Sequence, residues 1–430
     1  MSTAISKVYS WSMQAGLQAM VMMDRLWGNS IIDPSLKASP HLLIAGLRHK
    51  GNILRSYMIN GWAVVSHEDV KALLRDKRLS SEVFESTLIQ RVIRSAAQGL
   101  VTPIIDYPNI VNLDPPDHTR LRKLAAQSFT SRFIQSLTPK INAIVSELLD
   151  EVAGNEEVEV MDALARPLPA IVIAEMLGVP TEERHYFEQW SAALIKYTEI
   201  LNADAIHEAV LGDLAMRVYL QELVDLKRTH PGQDLISALI EAEEDGDKLD
   251  IEELLSLCTI LLVAGHETTT RLISSCLWLL LQHPEQLAEV RSDRSLLKNA
   301  IEEALRLEPP VLALSRLVPE TFDYKGHTFK KGQLVLLSIA GANRDPNVTP
   351  NPDAFSIHRE AFEHLSFGHG IHLCLGMPLA RLEAEAALNQ LLGRYPELTL
   401  PEQDLVWSDS PFFRGLEQLT IAGSTIAGSE

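Results

Sequence analysis

Phe367-Gly368-His369-Gly370-Ile371-His372-Leu373-Cys374-Leu375-Gly376 sets a lone cysteine in a glycine-rich loop, and the helix-like run Met377-Pro378-Leu379-Ala380-Arg381-Leu382-Glu383 begins directly after it. Glycines on both sides of the thiol let the backbone pass close to something flat and bulky, and let its N–H groups turn toward the sulfur. A helix N-terminus beside a thiol favours the thiolate, because the positive end of the helix dipole stabilises negative charge. A thiolate held in this way is a soft, electron-rich metal ligand. A free cysteine usually serves as a small buried hydrophobe, but that role does not call for glycine at this density.

The bulk composition narrows the classes. Over 430 residues the formal net charge is -19 and 46% of residues are apolar, enough for a large core. So acidic a chain lacks the basic footprint of a nucleic-acid binder and suits a cytoplasmic protein. Three cysteines without a Cys-x-x-Cys exclude a disulfide framework, a structural zinc site and covalent haem attachment. The uncharged run from Val8 to Met23 is interrupted by Gln14 and Gln18. It is too short and polar for a transmembrane span, and it has neither the cationic start nor the cleavage site of a signal peptide. The reading is a Met-rich amphipathic helix that packs on the body or touches a membrane surface, within an N-terminal extension 1–49. Residues 50–430 contain no repeat, low-complexity tract or linker and read as a single domain.

Outward from the cysteine loop the pattern is mainly helical, with a small β region. Ser56–Ile59 and Trp62–Val65 flank Asn60-Gly61, a hairpin signal. Ser66 caps the following helix, with Asp69 at its third position. Residues 81–110, which include Pro103 and Pro108, read as a long irregular connection. Pro115, Pro116 and Asp117 then start a helix that carries His118 and Arg122 one turn apart. Helical patterns continue over 186–198, 205–227 and 235–243. The longest helix runs from Ile251 to about Gln282, capped by Asp250 with Glu253 completing the box. At its centre Ala264-Gly265-His266-Glu267-Thr268-Thr269 places a glycine, an acid and hydroxyls in an apolar helix, a violation expected at a functional site. His266-Glu267 opens like a zinc-protease helix, but the second histidine would be residue 270, which is Thr. A helix over 296–307 bears Glu303 and Arg306 three apart, and strand-like runs follow at 314–318, 324–329 and 333–339.

These stretches resemble the cytochrome P450 family. The loop matches Phe-Gly-x-Gly-x-His-x-Cys-x-Gly at every fixed position, and 264–269 matches Ala-Gly-x-Glu-Thr-Thr. Glu303 and Arg306 fit the family's Glu-x-x-Arg pair, and the motifs fall in the family's order from about residue 50 to the end. The resemblance implies the P450 fold, with a long central helix over haem b and the Cys374 loop on the opposite haem face. It implies Cys374 as the axial thiolate ligand to iron. Phe367, Gly368, His372 and Gly376 would cradle the cofactor, with Ala264 and Gly265 on the far side. His118, Arg122 and Arg316 would reach the haem propionates, since guanidinium pairs well with carboxylate. Thr268, bonded to the Ala264 carbonyl, and Glu267 would relay protons to O₂. Glu303, Arg306 and Arg359 would be structural, and a mobile lid would lie around Glu199–Asp204. Ile260, Val263, Ala264, Leu312 and Ala313, all aliphatic, would line a pocket for a hydrophobic small molecule such as a terpenoid, steroid, fatty acid or polyketide.

The implied activity is a monooxygenase that hydroxylates that molecule with O₂. No flavin or nicotinamide module is recognisable, so electrons would come from a separate ferredoxin and ferredoxin reductase. Lys123 and Arg381 are candidate docking charges. Two alternatives stand at this point: a haem-thiolate peroxygenase, and a non-catalytic haem-binding or ligand-sensing protein.

Overall fold

The Asn60-Gly61 signal becomes a hairpin between β1 (Ile53–Ser56) and β2 (Gly61–Val64), with Ile53 opposite Val64. Its first strand lies earlier than expected, because Tyr57–Asn60 form the turn and Asn60 takes the left-handed φ of 46°. Gly61 already belongs to the strand. A Cβ there would stand 1.7 Å from the Leu334 carbonyl oxygen, so the glycine serves close strand approach. β3 (Ala313–Leu317) and β4 (Leu334–Ser338) complete a sheet of order β1-β2-β4-β3, in which β4 runs parallel to β2 and antiparallel to β3. The fully buried β4 reads Leu-Val-Leu-Leu-Ser, as a strand covered on both faces should. The computed structural model describes residues 40–199, 202–244, 247–360, 363–408 and 410–423; the run from Val8 to Met23, and Ile200 and Leu201 of the expected lid, lie outside them.

The helices that place the site are α1 (Pro40–Lys50), α2 (Asp117–Ser128), α3 (Pro167–Leu177), α4 (Arg184–Leu194), α5 (Ala203–Thr229), α6 (Ile251–Gln282), α7 (Leu297–Leu307) and α8 (Met377–Arg394). α1 crosses the boundary read at residue 49. Its Leu47 is buried with Leu54 and Ala63, and Arg48 donates to the Gly341 and Arg344 carbonyls. α6 has the expected bounds. Asp250 accepts from the Glu253 N–H at 2.9 Å, and Glu253 returns a bond to the Asp250 N–H at 3.0 Å. The helix runs without interruption through Gly265 and packs against α3, α4, α5, α7 and α8. Buried leucines at 254, 255, 257 and 262 anchor it, each contributing roughly 2 kcal/mol over exposure.

The connection over 81–110 is not irregular. Thr87–Ala96 forms a helix whose Val92, Ile93 and Ala96 are buried, and Pro103–Asp106 forms one further turn. Leu88, Ile89, Val92, Ile93 and Ala96 recur at helical spacing, a short amphipathic pattern overshadowed by the prolines beyond it. The C-terminal end of this helix is tied to α5 by His207 Nδ1, 3.1 Å from the Ala96 carbonyl.

Two buried polar groupings fix the frame. Arg306, 1% exposed, donates to both oxygens of Glu303 at 2.7 and 2.8 Å, and to the carbonyls of Asn343, Pro352 and Ala354. Arg359 Nε shares the same carboxylate at 3.0 and 3.1 Å. On the other side of the molecule, Asp213 of α5 is 2% exposed and accepts from the Tyr197 hydroxyl at 3.2 Å, while its Oδ1 has no partner. Burial pushes its carboxyl up to about 6, against the opposing pull of Tyr197 and Arg217.

Arg306→Ala would leave the fully buried Glu303 with Arg359 alone, and is expected to cost about 3–5 kcal/mol in a denaturant titration. Asp213 gives a pH signature. A carboxyl whose folded pKa is raised stabilises the fold below the unfolded value, and that stabilisation is lost as pH rises through the folded value near 6. Asp213→Asn should therefore flatten the fall in melting temperature between about pH 4 and pH 7; an unchanged slope would remove Asp213 as its source.

Candidate active site

α6 and the cysteine loop face each other across one cavity of about 300 Å³. Ile260, Ala264, Gly265 and Thr268 line it from the helix, and Phe367, Gly368, His372, Cys374 and Gly376 from the loop. The loop geometry follows from its sequence. Gly368 and Gly370 take φ of 74° and 81°, and the Cys374 N–H closes the loop on the Phe367 carbonyl at 2.9 Å. The Gly376 and Met377 N–H groups point at the Cys374 sulfur. Cys374 is exposed, but only into the cavity: burial still pushes its thiol up, against those N–H groups and the nearby Arg122 and Arg381.

Thr268 Oγ1 donates to the Ala264 carbonyl at 2.5 Å, the contact read from the sequence. Gly265 serves a different purpose from opening the helix. A Cβ there would stand 2.4 Å from Ile173 Cδ1, so the glycine makes room for a side chain of α3. Glu267 is not on the cavity wall. It pairs with Arg271 one turn on at 3.0 Å, and Arg271 also approaches Glu417 at 3.6 Å. Of the expected pocket residues, Ile260 and Ala264 line the cavity. Val263, Leu312 and Ala313 do not; Ala313 packs beneath the sheet with Met58, Ile59 and Leu336. Pro310, Val311 and Leu314 take the places given to Leu312 and Ala313, because pairing with β4 sets the strand's register. Ile173, Met176 and Leu177 of α3 complete the apolar wall. They sit in a uniformly apolar helix that carries no sequence signal of a cavity.

Around the loop a set of cationic groups gathers without an acid to balance it. His118 and His372 stack with ring centroids 4.0 Å apart, and both nitrogens of His118 are buried without partners. His372 Nε2 meets the Ser81 hydroxyl at 2.9 Å; Ser81 carried no sequence signal. Burial, with His118, Arg316 and Arg122 close by, pushes His372 down to about 3. Arg122 donates to the Leu373 carbonyl at 2.6 Å, and the buried Arg316 reaches only the carbonyl of its neighbour Ser315. Among the described residues neither arginine has an ion pair. Arg381 does: it holds Glu302 at 2.6 and 2.8 Å and lies over the Phe367 ring.

These features suit haem. A Cβ on Gly376, whose φ of -81° makes no demand for glycine, would meet no protein atom within 4 Å. The space beside the thiol is thus shaped for a bound group. Uncompensated buried guanidinium and imidazole call for a ligand bearing carboxylates.

Residues 37–417 match the family model described as Cytochrome P450. The chain belongs to the cytochrome P450 family. A P450 of Saccharopolyspora erythraea, cytochrome P450 107B1, is 42% identical over 368 residues, covering 84% of this chain and 89% of its own. Cytochrome P450 monooxygenase PikC of Streptomyces venezuelae is 41% identical, covering 89% and 91%. Among solved structures, P450BioI in complex with an acyl carrier protein bearing hexadec-9Z-enoic acid superposes with a TM-score of 0.82 at 37% identity, covering 91% of this chain and 99% of that one. As a P450 the protein is a monooxygenase, an oxidoreductase that takes haem on a cysteine thiolate. None of its described helices is long and apolar enough to cross a membrane.

Arg316→Leu removes a buried charge that the protein itself does not neutralise. The haem-free protein should melt higher, while haem affinity in reconstitution falls by about 1.5–3 kcal/mol, or roughly 10- to 100-fold. Unchanged haem affinity would take Arg316 out of the cofactor site.

Proposed function

We propose that this P450 binds haem b through Cys374 and hydroxylates a hydrophobic molecule built on a fatty-acyl or polyketide carbon chain. The observation that carries this reading is the cavity: apolar walls, a cysteine on one side, and Thr268 with Ala264 on the other. Bound there, the haem supplies the iron at which O₂ is reduced. His118, Arg122 and Arg316 hold its propionates, and Phe367, Gly368, His372 and Gly376 shape its bed. Thr268 keeps its own proton on the Ala264 carbonyl and presents oxygen lone pairs to the cavity, where they orient water. Glu267 exchanges protons one residue away, held in place by Arg271. Ile260, Ala264, Val311 and Leu314 exclude water from the substrate. Val263, Leu312 and Ala313 act from behind this wall.

The substrate class is narrowed by the relatives. PikC, the 6-deoxyerythronolide B hydroxylase of Saccharopolyspora erythraea at 41% identity, and the polyketide biosynthesis P450 PksS of Bacillus subtilis at 38% carry polyketide-related names. The biotin biosynthesis P450 of Bacillus subtilis, at 40%, and the acyl-carrier complex of P450BioI favour acyl chains. Structures with steroids belong to a P450 at 32–33% identity. Electrons come from a ferredoxin and its reductase in the cytoplasm. They enter on the Cys374-loop face, where Ile371 and Leu373 are exposed and Lys71 and Arg75 flank His369. Residues 50–430 act as one unit, with the preceding segment as its extension.

The test is a titration of the ferric protein with fatty acids, macrolactones, steroids and terpenes, following the Soret band. A shift toward high spin with acyl chains or macrolactones alone is expected. A shift with steroids or terpenes only would overturn the substrate class, and no Soret band after reconstitution would overturn haem binding. Turnover with peroxide but none with ferredoxin and O₂ would make the protein a peroxygenase.

A further inference from the structure

The roles above leave one buried acid unused. Glu383 of α8 is 1% exposed and lines the same cavity as Thr268. Its Oε2 has no hydrogen-bond partner, and burial holds its carboxyl well above the usual range, so the proton stays on. Among the described residues it is the one carboxyl group on the cavity wall. Glu267, next to Thr268 in sequence, is tied to Arg271 and off that wall. The side-chain oxygens that share the wall with Glu383 are those of Thr268, Thr269 and Ser366, and α6, which carries both threonines, packs directly on α8.

An unpartnered carboxylic acid in an apolar wall lowers stability, because its desolvation is not offset by a hydrogen bond. A structural position between packed helices is better filled by leucine or methionine. A neutral acid facing a cavity that also holds hydroxyl groups can instead store a proton and release it through water. Water needs polar partners to enter such a space, and Glu383, Thr269 and Thr268 provide them.

We propose that Glu383 is a proton donor for oxygen activation, passing its proton through water along Thr269 and Thr268; this rests on the monooxygenase reading above. The overall reaction takes substrate, O₂, two electrons and two protons to hydroxylated substrate and water. Glu383 supplies one of those protons: its O–H bond breaks, an O–H bond forms on the oxygen derived from O₂, and the carboxylate regains a proton from solvent. Both electrons come from the external reductant, so Glu383 itself is neither oxidised nor reduced.

The experiment uses the full-length, haem-loaded protein and the variants Glu383→Gln, Glu383→Asp and Glu383→Met. Infrared spectra in H₂O and D₂O at neutral pH should show a protonated-carboxyl band that disappears in Glu383→Gln. O₂ consumption without substrate, driven by NADH, a plant-type ferredoxin and its reductase, should slow in Glu383→Gln by up to about 100-fold, the lower end of what a positioned acid contributes. Its solvent deuterium isotope effect should change as well. Glu383→Asp should recover most of the rate. Glu383→Met should melt higher than wild type while remaining slow, a combination that a merely structural residue does not give.

The proposal is overturned if haem-loaded Glu383→Gln keeps the wild-type rate and isotope effect, or if the infrared band persists in it. Should Glu383→Gln not retain haem, the wild-type spectrum and Glu383→Asp decide. A missing band, or a Glu383→Asp protein with an unaltered isotope effect, overturns the proposal. A wild-type protein with no Soret band would instead sink the monooxygenase reading, and so is separable from a failure of Glu383.

Discussion

The position of Cys374 depends on a guanidinium that never meets water. Arg306 binds Glu303 within α7 and, through the Asn343 carbonyl, the segment that follows β4. Asn343 carries the connection onward: its side chain donates to Ser366 Oγ at 2.8 Å and accepts from the Leu365 N–H at 2.7 Å. Ser366 Oγ in turn donates to the Leu305 carbonyl at 2.6 Å, back on α7. The closed circuit ends one residue before Phe367, whose carbonyl receives the Cys374 N–H. Buried networks of this kind add little net stability when complete and lose much when broken. Their effect here is specificity of place: the loop is fixed to a helix, and through it to the wall of the cavity.

The site is built on a deliberate imbalance. Elsewhere the buried charges find partners, as with Glu308 between Arg344 and Arg414. Around the loop they do not: Arg316, Arg122 and His118 face a cavity rather than a carboxylate. The protein thus carries, without its cofactor, an electrostatic deficit that a dianionic ligand corrects. Binding and completion of the fold become one process.

What the sequence revealed follows the range of the forces involved. The loop at 367–376 was legible because each glycine, the cysteine and the helix after it answer to local backbone demands. The bounds of α6 were legible because a capping box and a proline past its end act over a single turn. Contacts set by tertiary packing were not. The register of β3 depends on β4, so Val311 and Leu314 rather than Leu312 and Ala313 reach the cavity. The pairing of Glu267 with Arg271 obeys the ordinary spacing of one helical turn, but only the fold shows which face of α6 that turn occupies. Glu383 sits in a run, Leu-Glu-Ala-Glu, that reads as a solvated helix face until α6 and α7 are seen to cover it. Arg381 likewise reads as a free surface charge until Glu302 claims it.

Gly265 and Ile173 occupy one space between them, since a Cβ on the first would stand 2.4 Å from the Cδ1 of the second. Both also border the cavity. The two positions are therefore epistatic: alanine at 265 is admissible only after residue 173 has been shortened, and shortening residue 173 enlarges the pocket. A lineage diverging from this protein would have to change substrate volume before it could change the centre of α6. The order of mutational steps is written into the contact between two helices.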